Sequence, residues 1–163
     1  MEIELYSEER HRAFSEMFLD YFLGDFKAPF SEEMIRDEII PKYTELSKQN
    51  IAPILLAVEE GDPIAFINFQ IDSENSNWNE RPGWGMIREI HVNPGFRRHG
   101  VGSVLVRIAT RVMRGSGATH AYLTTEDTFE FWEKLGWKRT DSIAPNGGTI
   151  MEKDLTEDED ATQ

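Results

Sequence analysis

The run Arg97-Arg98-His99-Gly100-Val101-Gly102-Ser103 sets two guanidinium groups beside two glycines, after one apolar stretch and before a long amphipathic one. That order suits the holding of an anion. The first N–H groups of a helix have no intrahelical partner and carry partial positive charge. Glycine lets a phosphate approach the backbone without meeting a Cβ, and each arginine adds a full charge beside it. From Asn93 to Thr125 there is no Asp or Glu, although the chain has 30 of them. Such a cationic island, in a protein of net charge −13, points to a small, localised anionic ligand. Arg107, Arg111 and Arg114 read differently, as a solvated helix face favourably near the C-terminal end.

Two nucleotide-binding patterns are weakened by the residues after the glycines. A phosphate loop needs lysine after its second glycine, and the chain has Val101 after Gly100. A dinucleotide fingerprint needs a third glycine where Leu105 stands. Just upstream, Glu89 and His91 lie two apart on a predicted strand and so share a face. Either side chain can take a proton from a substrate, directly or through water. Either can equally serve an ion pair or a local hydrogen bond, because alternation alone does not locate a cleft. His11 and His120 read as structural. Four scattered histidines without cysteine give no metal-ligand spacing, so no metal is expected.

Those residues need a frame. Residues 1–6 alternate as a first strand. Ser7 is the candidate N-cap of a helix in which Ala13, Phe14, Met17, Phe18, Tyr21 and Phe22 recur at helical spacing, although Arg10 stands where a capping box wants an acid or amide. Ser31 caps a second helix that Pro41 kinks or divides. "APILLAVEE" and "PIAFINFQID" are strands joined at Gly61-Asp62, and "WGMIREIHVNP" is the next strand after a polar loop. From Gly100 a helix buries Val101, Val104, Leu105, Ile108, Ala109, Val112 and Met113, and "GSG" ends it. A strand, a short helix and a hairpin complete the chain. The order β-α-α-β-β-β-α-β-α-β-β predicts an α/β (mixed α+β) fold: a mixed twisted sheet of six to seven strands with helices on both faces. Residues 1–155 form one domain and 156–163 an acidic, flexible tail.

Composition narrows the setting. No stretch approaches 18 uninterrupted apolar residues, so no membrane partner is expected, and the acidic N-terminus is unlike a secretory signal. The chain has no cysteine, which excludes disulfides, thiolate metal sites and a cysteine nucleophile, and fits a cytoplasmic location. The net charge argues against a nucleic-acid partner. It suits a cationic substrate, though excess carboxylate also simply gives solubility. The loop "SENSNWNERPGW" offers Glu74, Glu80, Trp78 and Trp84 as a cation-recognising rim.

Arg97-x-x-Gly100-x-Gly102 matches the [RQ]-x-x-G-x-[GA] pattern that opens the central helix of the Gcn5-related N-acetyltransferase (GNAT) superfamily. Ile90-His91-Val92-Asn93-Pro94 resembles the family's preceding strand, and "FWEKLGW" resembles its F-Y-x-K-x-G-F segment. With the element order, the resemblance spans nearly the whole chain. It implies a GNAT fold with a V-shaped split between the fourth and fifth strands, which receives the pantetheine of acetyl-CoA. Carried across, the backbone at Ile90 and Val92 would meet the pantetheine and acetyl carbonyl. The N–H groups from Arg98 through His99, Gly100, Val101 and Gly102 to Ser103 would hold the pyrophosphate, with Arg97 beside them. Glu89 matches a position where some relatives carry an acid. Thr125 stands near a cofactor-contacting asparagine of many relatives, and Trp132 stands where a thiolate-protonating tyrosine is common. An indole donates a hydrogen bond but is not a usable acid. The implied function is direct acetyl transfer from acetyl-CoA to a primary amine of a small molecule or peptide. Polyamine, aminoglycoside, amino acid, peptide N-terminus and lysine all stay open as acceptors. A non-catalytic acyl-CoA sensor and an interaction module using the acidic tail are the alternatives, and a homodimer is common in the family.

Overall fold

The computed structural model describes residues 1–25 and 27–157, so most of the acidic segment, 158–163, lies outside the described residues. The elements run β1 (Glu2–Leu5), α1 (His11–Asp20), α2 (Glu32–Met34), α3 (Ile40–Lys48), β2 (Ile54–Glu59), β3 (Asp62–Ile71) and β4 (Gly85–Val92). They continue with α4 (Val101–Gly115), β5 (His120–Thr125), α5 (Phe129–Lys134), β6 (Lys138–Ile143) and β7 (Thr149–Asp154). Seven strands form one sheet in the order β1-β2-β3-β4-β5-β7-β6. β4 and β5 are parallel, in register at Gly85↔Ala121 and Met86↔Tyr122, whereas β1–β2, β2–β3, β5–β7 and β6–β7 are antiparallel. This is the mixed sheet that the element order predicts.

Local chemistry explains where the helices break. Ser7 is extended but makes no side-chain cap, and a 3₁₀ turn, Glu8–Arg10, leads into α1 instead. Ser31 does cap: its Oγ accepts the Met34 N–H at 3.1 Å. Pro41 sits in the first turn of α3, directly after a π-helical turn over Ile35–Ile39. Proline offers no N–H to the preceding turn and crowds it, so the widened turn divides the predicted second helix. The β2–β3 hairpin turns at Glu60 and Gly61, both left-handed at φ 50° and 85°. That is one residue earlier than Gly61-Asp62, because a two-residue turn of this hand needs positive φ at both central positions.

Contacts group the chain into two compact units, Met1–Asn68 with Glu89–Leu105, and Phe69–Arg88 with the residues from Val106 onward. In the first, Phe14 and Phe18, one helical turn apart on α1, are fully buried with Ile54, Leu56 and Phe66. Their rings meet Phe66 at 5.4 and 5.7 Å. In the second, Tyr122, Trp137 and Met151 are almost fully buried. Along α4 the buried stripe includes Val106 and Thr110, while Val112 is 44% exposed, so the helix presents a slightly rotated face from the one predicted. α4 closes with a left-handed Gly117 at φ 102°, the Ala118 N–H bonding Met113 O and the Gly117 N–H bonding Arg114 O.

Gly85 opens β4 against α4. A Cβ there would overlap the Met113 Sδ and stand 3.3 Å from its Cβ, and Met113 is 1% exposed. Gly85→Ala is therefore expected to destabilise the fold by about 1–3 kcal/mol, read from the urea midpoint at unchanged slope.

Candidate active site

The second half of β4 carries Glu89 and His91 on one face, as its alternation predicts. The Tyr21 hydroxyl, just beyond α1, donates to Glu89 Oε2 at 3.2 Å. The Tyr43 hydroxyl, from α3, reaches Glu89 Oε1 at 3.5 Å. His91 is buried, with its Nε2 3.2 Å from Asn93 Oδ1 and its ring 5.5 Å from that of Tyr21. It also lines a cleft of about 480 Å³ with Glu16 and Asp20 of α1 and with Asn93 and Pro94. Glu89 and His91 are thus brought together, by a tyrosine that touches both. Sequence reasoning assigned Tyr21 only to a helix face and did not single out Tyr43.

Beyond β4 the chain turns sharply. The Asn93 N–H bonds Ile64 O at 2.8 Å, a 3₁₀ turn spans Pro94–Phe96, and the Arg97 Nε donates back to Val92 O at 2.7 Å. Arg97 thereby ties the turn to the strand end. Arg98 at φ 67° and Gly100 at φ 81° are both left-handed. Alternating backbone conformations of this kind turn successive N–H groups into a concavity that suits anions. Nothing lies within 4 Å of where a Gly100 Cβ would stand, so the space beside the backbone is open. The first helical bond of this end is the Val104 N–H to Gly100 O at 3.1 Å. Residues 97–100 are exposed, Val101 is buried and Gly102 and Ser103 are half-buried, so the loop presents its backbone outward while Val101 anchors it. The residues present fit a phosphate-bearing ligand.

Thr125 and Trp132 lie in the second unit and meet there through Thr128. Thr125 Oγ1 accepts the Thr128 N–H at 3.2 Å, and the Trp132 indole N–H donates to Thr128 Oγ1 at 3.1 Å. Trp132 is buried edge-on against Trp137, with ring centres 5.5 Å apart.

Residues 12–137 match the model of the acetyltransferase (GNAT) family. The chain belongs to this family. Among solved structures it is similar to the PaiA N-acetyltransferase from Thermoplasma acidophilum in complex with coenzyme A, at 22% identity and a TM-score of 0.70, covering 94% of this chain and 99% of that one. It is similar to an aminoglycoside antibiotic 6′-N-acetyltransferase from Acinetobacter haemolyticus, at 23% identity and TM-score 0.67, covering 88% and 95%. It is also similar to a ribosomal-protein-alanine N-acetyltransferase from Brucella melitensis, at 14% identity and TM-score 0.74, covering 94% and 99%. At these identities the likeness shows a shared GNAT fold. No curated protein matches the sequence.

In this GNAT chain the β3–β4 loop, offered by its sequence as a cation rim, is occupied with its own unit. The Trp78 indole N–H donates to the Tyr122 hydroxyl at 2.9 Å, and Trp84 stacks on His120 at 4.9 Å. The cation that Trp84 meets is the chain's own: the Arg81 guanidinium lies 4.7 Å from the Trp84 ring centre and pairs with Glu152. Beneath them the buried Asp72 carboxylate accepts from the Tyr122 hydroxyl, from Gln70 Nε2 at 2.8 Å and from the Arg81 N–H at 3.0 Å. Burial, and then the hydrogen bond donated to Asp72 and that group's charge, push the Tyr122 phenol well above the ordinary tyrosine range. The unfolded chain releases that proton near pH 10 and the folded chain does not, so stability present below about pH 10 is lost as pH rises further. Tyr122→Phe is expected to lower stability at neutral pH by about 1–3 kcal/mol, by stripping a buried carboxylate of a donor, and to flatten the alkaline decline of the denaturant midpoint. Tyr6, also raised mainly by burial, leaves part of that slope in place.

Proposed function

We propose that the chain is an acetyl-CoA-dependent N-acetyltransferase that passes acetyl directly to a primary amine of a small molecule or peptide. The observation that carries this reading is the left-handed, open turn at Arg98 and Gly100 at the end of the strand that bears Glu89 and His91. Bound acetyl-CoA would supply the acetyl thioester. The backbone from Arg98 to Ser103, with Arg97, would hold its pyrophosphate, and the strand backbone at Ile90 and Val92 its pantetheine. Thr125 and Trp132 are further cofactor contacts that the family resemblance assigns, with Trp132 offering its ring, since its N–H serves Thr128.

The acceptor arrives as an ammonium. Glu89 or His91 takes its proton, directly or through water, so that the neutral nitrogen can attack. A backbone N–H near Val92 receives the negative charge that develops on the carbonyl oxygen. A thiol pKa of roughly 8.5 lets the thiolate leave without a dedicated acid, and the second proton, shed by the nitrogen as the adduct collapses to the amide, passes to the thiolate or to water, which accommodates Trp132 in place of tyrosine. The chain has no cysteine to carry an acetyl group, and a ternary complex with both substrates bound together is expected. The Asp20 carboxylate, in the cleft that His91 lines, favours a cationic acceptor, while the neighbouring Glu16 is already paired with Arg36. Aminoglycoside and ribosomal-protein acetyltransferases among the similar structures support small-molecule and peptide amines alike. A cytoplasmic enzyme, as monomer or homodimer, fits this chemistry.

Initial velocities measured against acetyl-CoA at several fixed amine concentrations should give intersecting double-reciprocal lines. Parallel lines would overturn direct transfer. A second reading, an acyl-CoA-binding sensor without catalysis, is favoured by one feature only, the tryptophan at position 132.

A further inference from the structure

We propose that Tyr21 and Tyr43 are positioning residues that clamp the Glu89 carboxylate and hold it as an anion facing the acceptor amine. The inference rests on the reading of Glu89 as the acceptor-facing group. The two hydroxyls come from segments 68 and 46 residues away in the chain and reach different carboxylate oxygens, Oε2 at 3.2 Å and Oε1 at 3.5 Å. A donor facing each oxygen, the nearer at Oε2, restricts the carboxylate plane as well as its rotamer. Hydrogen bonds donated to a carboxylate favour its charged form. A carboxylate kept charged attracts an ammonium and stays aimed at it.

Both rings are placed independently of their hydroxyls. Tyr21 packs on Phe18 at 6.3 Å and on Phe22 at 5.6 Å, and Tyr43 packs on the same two at 5.0 and 6.3 Å. Tyr21 sits where its helix departs from regularity, and Tyr43 lies in regular α3 one turn beyond such a departure. Tyr21 opens a π-helical turn, Tyr21–Asp25, and Tyr43 follows the one over Ile35–Ile39. Widened turns of this type re-aim side chains and recur at functional sites. Tyr21 reaches His91 as well, so one side chain links both candidate bases. Among the described residues, other ionisable groups on this side include His91 on the same face of β4 and, in the cleft that His91 lines, Glu16 and Asp20. Glu16 is paired with Arg36 at 3.0 Å. All of these remain when the tyrosine hydroxyls are removed.

Tyr→Phe keeps the packed ring and deletes only the donor, so the variants Tyr21→Phe, Tyr43→Phe and their combination isolate the clamp. Protein labelled with ¹³C in its glutamate carboxyl groups would be titrated by NMR, with Glu89→Gln identifying the Glu89 signal. Removing both hydroxyls is expected to raise the titration midpoint of that signal by about one pH unit, a tenfold change in proton affinity, with smaller rises in the single variants. A midpoint identical in all forms overturns the clamp. In parallel, the acid limb of the kcat/KM profile should move up by the same amount for whichever amine of a panel is acetylated, while KM for acetyl-CoA stays within about twofold. If the NMR midpoint moves but Glu89→Gln retains full activity, the clamp is real and the acceptor-facing role of Glu89 is the part that fails.

Discussion

Replacing Gly102 by glutamate should weaken coenzyme A binding by at least about a hundredfold, with the fold intact. Gly102 stands in the first turn of α4, directly after the left-handed Gly100. A glutamate there sets a carboxylate among N–H groups and arginines that would otherwise hold a pyrophosphate. A like charge at about 4 Å costs on the order of 4 kcal/mol at the dielectric of a protein surface. Each 1.4 kcal/mol is a factor of ten in affinity, so even half of that repulsion gives a loss easily measured by calorimetry. An acid in the first helical turn is otherwise favourable to a helix, so thermal stability should hold or rise slightly. Unchanged coenzyme A affinity in this variant would remove the cradle from the account.

The second large effect is at Glu89. Glu89→Gln is expected to lower kcat/KM for the acceptor amine by about 10²–10³, as loss of a positioned general base does elsewhere. Glutamine is nearly isosteric and still accepts from a tyrosine hydroxyl, so affinity for acetyl-CoA should stay within about twofold. His91→Gln is the paired measurement. His91 is buried beside Asn93, so its replacement tests the base role against a supporting one. The larger loss in kcat/KM identifies the group that takes the proton, and equal losses would point to a shared relay.

The ingredients of the candidate anion cradle could be read from the chain because they are local. Arginines, glycines and a helix start within seven residues say what they do together. The strand–helix order was legible for the same reason, since each element declares its own period. What escaped was contact at long range. Tyr21 and Tyr43 carry no local sign that they will meet over Glu89, 68 and 46 residues downstream. Trp78 and Trp84 looked like binding aromatics because nothing near them in sequence reveals that Tyr122 and His120, far downstream, will meet them. Smaller departures have smaller causes. The hairpin moved by one residue because Glu60 accepts a left-handed conformation beside Gly61. Val112 turned outward because a helical stripe read at fixed spacing leaves its phase open by a fraction of a turn, and tertiary packing chose Val106 and Thr110 instead.

The fold and the cradle would serve an enzyme or a mere binder of acyl-CoA, and turnover distinguishes them. The deciding measurement is thiol release from acetyl-CoA in the presence of a panel of primary amines: a polyamine, an aminoglycoside, an amino acid, a peptide with a free N-terminus and a lysine peptide. At least one should release thiol faster than hydrolysis alone, stoichiometrically with an acetylated product and not with the Gly102→Glu protein. Tight acetyl-CoA binding with no amine raising thiol release above the hydrolytic rate would contradict the enzyme reading and leave a sensor in its place.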